Sequence, residues 1–191
     1  MAESDDWTVV SGKKKKNMIE YQSTNATEPV QIHPLNDSWV FWFHDMNNEN
    51  WGLSSYEKLF TFRTVEDFHI LFNNVTNVIN GMYYLMREGS PPIWDHEKNL
   101  GGAGWTFRID KKFVRDFWEK IAGYCVSETL SSRPGNIIGV SISPKIRFAT
   151  IRVWTKNNDR NPIEFDTIHK ETQGDINFGN ARFTLNVDAA K

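Results

Sequence analysis

In "GSPPIWDHEKNLGG", Gly89 to Gly102, a tryptophan and an aspartate stand side by side between a proline pair and a glycine pair. A core would use the ring without the acid, and a solvated turn the acid without the ring. Together on a stiff loop they suit a flat, cationic ligand. Indoles stacked on its two faces supply dispersion and, for a positively charged ring, cation–π attraction of ~0.5–2 kcal/mol each. A carboxylate in the ring plane accepts hydrogen bonds from adjacent ring and amino N–H groups, as acidic side chains do at base edges. Guanine offers such a donor pair, and methylation of its imidazole ring makes it cationic. Trp94 and Asp95, with a second tryptophan from elsewhere, form a candidate site for a methylated guanine. The plainer alternative is a buried Trp94 with Asp95 as a turn residue, and the loop alone leaves both open.

Composition narrows the field. The 191-residue chain has eight tryptophans, more than packing alone calls for in so small a domain, so some should be surface recognition platforms. Its formal charge of -2 gives no bulk attraction to nucleic acid or anionic lipid, and any polyanion site must be a local cluster. The single cysteine, Cys125, excludes an internal disulfide and fits a reducing compartment. No apolar run is long enough to span a bilayer, and "MAESDDWTVV" is acidic rather than signal-like. A cytoplasmic place follows, and the lysine block Lys13 to Lys16 also allows a nuclear one. The histidines lack ligand spacing, so no metal or other cofactor is expected. Nothing pairs a nucleophile with a base, so the chain reads as a binding protein rather than an enzyme.

These side chains need elements to hold them. Residues 1–30 read as an unstructured tail, and 31–191 as one domain. "SWVFWFHD" is apolar on both faces, a strand, and "KLFTF" another. "TVEDFHILFNNV" opens with a Thr cap and carries Val65, Phe68, Leu71 and Phe72 on one helical face. "MYYLMRE" and "GWTFRID" read as strands flanking the tryptophan loop, and Asp110 caps a long helix up to "SSRPGN". "IIGVSIS" and "IRFATIRVW" form a hairpin through Ser143-Pro144, "NPIE" starts a third helix, and "ARFTLNV" is a last strand. The sum is an α+β fold: an antiparallel sheet of about seven or eight strands with three helices on one face. The other face is free to curve around a ligand.

Six segments occur in the order of a known family: "HPL…W…WF" (His33 to Phe43), "TVEDF", "LMREGSPPIWDHEKN", the "GG…W" group ending at Trp105, "FW" at Phe117, and the run from Gly139 to Trp154. With Trp51 in the first loop, they resemble the cap-binding translation initiation factor 4E family. The resemblance covers His33 to about Ile168. It implies a strongly curved, eight-stranded antiparallel sheet with three helices on its convex face. It also implies binding of the 7-methylguanosine cap of messenger RNA by a monomer, in translation initiation or its regulation, with no membrane partner.

Carried over by position, Trp51 and Trp94 sandwich the methylated base and Trp154 contacts the N-methyl group. The acid, glutamate in the family, is Asp95 here, one methylene shorter. For the phosphates, ungapped register puts Lys145 at the family's arginine and Thr150 at its lysine; Arg152 and Arg147 are the further candidates. Strand alternation puts Arg152 on the face of Trp154 and Arg147 on the opposite one. Contacts beyond the cap would fall near Phe178 and Arg182. The family's partner surface, for a scaffold (initiation factor 4G-like) or a repressor, maps to His33, Pro34, Leu35, Val65 and His69. His69 stands where the family has tryptophan, which removes a typical anchor and favours a non-standard partner or a repressor role. A carbohydrate-binding module using tryptophan platforms is the alternative from another class.

Overall fold

The computed structural model describes residues 31–75, 77–158 and 181–189. The tail, the "NPIE" helix expected from the sequence and Phe178 lie outside them. Seven strands are present among the described residues: β1 Pro34–His44, β2 Tyr56–Thr64, β3 Met82–Arg87, β4 Ala103–Asp110, β5 Ile137–Pro144, β6 Phe148–Thr155 and β7 Arg182–Leu185. They form one curved, unclosed antiparallel sheet in the order β2-β1-β3-β5-β6-β4-β7. The helices are α1 Val65–Asn74, α2 Val114–Val126 and a single turn, α3 Asn186–Ala189. The last strand therefore ends two residues sooner than "ARFTLNV" suggests, because Asn186 turns into α3.

Strand alternation divides the side chains between two faces. Towards the helices, Phe41, Leu85, Phe107, Val140, Ile142 and Ile151 pack with Phe68, Phe72, Phe117, Trp118 and Ile121 into the main core. Fully burying each such side chain contributes about 1.5–3 kcal/mol before the entropy of ordering it. On the other face, Met82, Tyr84, Met86, Ile138 and Trp154 make a smaller cluster. Beyond them the same face turns polar, and this floor carries the site.

Capping follows the sequence. Thr64 Oγ1 accepts from the Asp67 amide at 3.1 Å to start α1. Val65 is 36% exposed rather than on the apolar face of α1, because it occupies the first helical position, at the rim. α2 stops at Val126, ahead of the "SSRPGN" turn, since Glu128 adopts a left-handed φ of 60°. That conformation is unfavourable for a residue with a Cβ, and Glu128 is held in it from outside. Its carboxylate accepts from Asn36 at 2.8 Å and pairs with Arg87 at 2.8 Å. Arg87 also pairs with Asp37, donates to the Ile137 and Pro134 carbonyls, and lies over Trp39. One guanidinium thus ties β1, β3, the end of α2 and the start of β5.

Candidate functional site

Trp51 is 53% and Trp94 39% exposed, so neither ring is in the core. Each sits on a loop that its sequence stiffens. In the β1–β2 loop, "DMNNENWG" makes successive Asx turns: Asp45 accepts from the Asn47 amide, Asn48 from the Asn50 amide, and Asn50 from the Gly52 amide. His44, fully buried at the end of β1, stacks on Trp51 with ring centres 4.6 Å apart and planes 6° from parallel. Its Nε2 hydrogen-bonds the Asn50 carbonyl at 2.9 Å. One face of Trp51 is thereby covered and the other left open.

The Trp94 loop leaves β3 through Gly89, whose φ of +86° suits a residue without a Cβ. Its hub is Asn99, fully buried, which donates to the Pro91 and Ile93 carbonyls at 2.7 Å each. Asn186 of α3 donates to the Asn99 carbonyl at 2.8 Å and so anchors the loop to the C-terminal turn. Asp95 is exposed and takes no hydrogen bond or ion pair among the described residues. Its charge reaches Tyr56: burial chiefly raises that phenol's pKa, a bond with Tyr84 opposes this, and Asp95 adds to the rise. Asp95 is not among the residues that line the cavity beside Trp94.

Trp51 and Trp94 both line a cavity of about 1130 Å³ on the curved sheet. Met46, Met82, Tyr84 and Trp154 line it with them. Trp154 is 1% exposed, yet its ring lines the cavity 6.3 Å from that of Trp94, and its Nε1 donates to Ser141 Oγ at 2.9 Å. Along the floor follow Ser141, Ser143, Thr150, Thr106 and Thr184, with the cations Arg108, Lys145, Arg152 and Arg182 and the carboxylate of Asp188. Cations outnumber the one carboxylate in this lining although the whole chain carries a net charge of -2.

Of the basic candidates named from the sequence, Lys145 and Arg152 line the cavity, whereas Arg147 is exposed on the β5–β6 turn and is not among the lining residues. Arg108 was not found by sequence reasoning. It shares the parity of Gly104 and Thr106 on β4, but only the pairing of β4 with β6 puts it opposite Thr150, on the site face. Of the partner-surface candidates, Pro34, Val65 and His69 are exposed, Leu35 is buried at 8%, and His33 Nδ1 bonds Glu66 at 2.6 Å. That bond, first, holds the Glu66 carboxyl below its ordinary pKa.

A concave antiparallel sheet with helices behind, two open indoles on its rim and a cationic floor defines a nucleotide-sized binding cleft. The family model for eukaryotic initiation factor 4E matches residues 34–186, and the chain belongs to that family. Eukaryotic translation initiation factor 4E of Dictyostelium discoideum is 34% identical over 133 residues, which span 65% of this chain and 52% of that protein. Factor 4E-1A of Danio rerio is 25% identical over 183 residues, covering 91% and 85%. Among solved structures, C. elegans eIF4E-3 in complex with the 4E-binding protein Mextli and a cap analog superposes with a TM-score of 0.71 at 21% identity, covering 84% of this chain and 96% of that one. Ascaris suum eIF4E-3 with the m7G cap gives 0.69 at 21%, covering 81% and 92%. At such identities the two structures establish the shared fold.

Proposed function

We propose that this protein binds the 7-methylguanosine cap of messenger RNA and acts in translation initiation or its control. The methylated base stacks between Trp51 and Trp94, with Trp154 at the N-methyl edge. Asp95 accepts from the base's N–H pair, and the phosphates lie along the floor near Arg152, Lys145 and Arg108. The observation that carries the reading is that one cavity is lined both by exposed indoles, Trp51 and Trp94, and by the cations Arg108, Lys145, Arg152 and Arg182. Methylation makes the base a cation suited to indole faces, and the phosphates are anions suited to the floor. Asp95 has no protein partner among the described residues, which leaves its oxygens available.

Tryptophan-fluorescence titration with methylated and plain guanosine triphosphate tests this. The methylated nucleotide should quench at the lower concentration. Equal quenching by both, or none by either, overturns the reading, and a response to oligosaccharides would favour a carbohydrate module.

The helical face supports a second component. Val65 and His69 are exposed beside the His33–Glu66 pair, and structural neighbours of this fold occur in complex with 4E-binding proteins. With an imidazole at 69 and Leu35 buried, this surface offers less apolar area than a tryptophan would, which favours a repressor or a non-standard scaffold. Affinity capture with the parent and with Val65→Glu separates the roles: recovery of a scaffold factor lost in the variant supports initiation, and recovery of other proteins supports repression.

A further inference from the structure

Arg152 stands closer to the indoles than a phosphate contact requires. β6 carries it onto the cavity floor two residues before Trp154, and its guanidinium carbon lies 5.7 Å from the Trp94 ring centre and 5.3 Å from that of Trp154. It folds over β4 where that strand has no side chain: a Cβ on Gly104 would stand 2.6 Å from both Cζ and Nε of Arg152. Nη2 donates to Asn186 Oδ1 at 2.7 Å and to the Thr184 carbonyl at 3.2 Å, and Nη1 to Thr106 Oγ1 at 3.4 Å. All these acceptors are neutral, and Nε has none. No carboxylate among the described residues comes within ion-pair distance. The residue is 7% exposed. Burial lowers its pKa to about 10, which still leaves it charged at neutral pH.

A base stacked on Trp94 lies about 3.5 Å from the indole plane, so its centre is at most about 9 Å from the Arg152 charge, whichever face it takes. At that range, inside a partly desolvated cleft, salt screens the two charges poorly. A methylated, cationic base must share the Trp94 electron cloud with a cation already in place and face its repulsion. A neutral base is spared both. A phosphate attached to either base neutralises the guanidinium and removes the handicap of the methylated one.

We infer that Arg152 makes the preference for a methylated over an unmethylated guanine depend on the ligand's phosphates, weak for the nucleoside and strong for the triphosphate. The inference rests on the cap-binding reading and adds a specificity-determining residue to it. Arg152 gates the methyl preference and does not merely add affinity.

The test titrates the parent, Arg152→Met and Arg152→Lys with methylated and unmethylated guanosine, guanosine monophosphate and guanosine triphosphate, read by tryptophan fluorescence. In the parent, the ratio of methylated to unmethylated affinity should climb at least about threefold from nucleoside to triphosphate. In Arg152→Met the ratio should already be high for the nucleoside and stay flat, while unmethylated triphosphate binds more weakly than to the parent. Arg152→Lys keeps the charge and should keep the climb. A flat ratio in the parent overturns the inference, as does a climb that persists in Arg152→Met. Should the methionine variant fail to fold, the phosphate series of the parent still decides. Failure of the parent to prefer methylated triphosphate at all is a separate result, which removes the cap-binding reading.

Discussion

At the scale of single residues, the proposed cap-binding reading assigns different work to indoles, acid and cations. Trp51→Ala and Trp94→Ala should each weaken binding of methylated guanosine triphosphate by ~1–3 kcal/mol, the usual worth of a base–aromatic stack, as measured by calorimetric titration. Unchanged affinity in either variant would take that ring out of the site. Asp95→Asn exchanges half of an acceptor pair for a donor. Its preference for guanine over adenine caps should fall more than its affinity for the guanine cap, and a variant that rejects adenine caps as well as the parent would leave the edge reader unidentified. Lys145→Gln and Arg108→Gln should lose affinity for the triphosphate form more than for the nucleoside. Arg147→Gln, outside the cavity, should lose neither, and a comparable loss there would mean that the β5–β6 turn closes over the ligand.

At the scale of elements, stability is concentrated where chain ends are pinned. Glu128 joins the end of α2 to β1 and β3 through Asn36 and Arg87, and these contacts, Asn36 first, hold its pKa below the ordinary 4.5. A depressed carboxyl pKa means stability that is fully present above the unfolded value and is lost as pH falls through the folded one. Glu128→Gln should therefore cost about 1.5–3 kcal/mol in urea unfolding at neutral pH, with the gap to the parent closing below about pH 4. A gap that stays constant into acid would show that the charge contributes nothing. The two indole loops are pinned differently. Asx turns hold Trp51, and the buried amide of Asn99, itself tied to Asn186, holds Trp94.

At the scale of the molecule, charge and burial make two further statements. Cations gather on the cavity floor of a chain with a net charge of -2, so ligand affinity should fall steeply with added salt while unfolding stability changes little. Parallel salt series of binding and of urea unfolding would reveal the contrast, and equal sensitivity of both would deny a localised anion site. Cys125 lies 1% exposed in α2, and burial pushes its thiol up to about 12. It should react with a thiol reagent only as fast as the domain opens, and immediate labelling of the folded protein would contradict the core packing.

The sequence by itself determined most of the elements, and it named the candidate residues of the proposed site. The period-two runs of β3 and β6, the Thr64 cap and the "WDHEKN" loop are local signals, and each reads correctly because its cause lies within a few residues. Trp51 and Trp94 were legible as exposed platforms for the same reason. The cationic lining was legible only in part: Lys145 and Arg152 are named by position and Arg182 only for contacts beyond the cap, whereas Arg108 reaches it through its pairing with Thr150. Nor could spacing show that Arg152 folds over Gly104 beside Trp94, that His44 backs Trp51, or that Leu35 turns inward. Those facts depend on strand register and sheet curvature, and neither exists until residues far apart in the chain have paired.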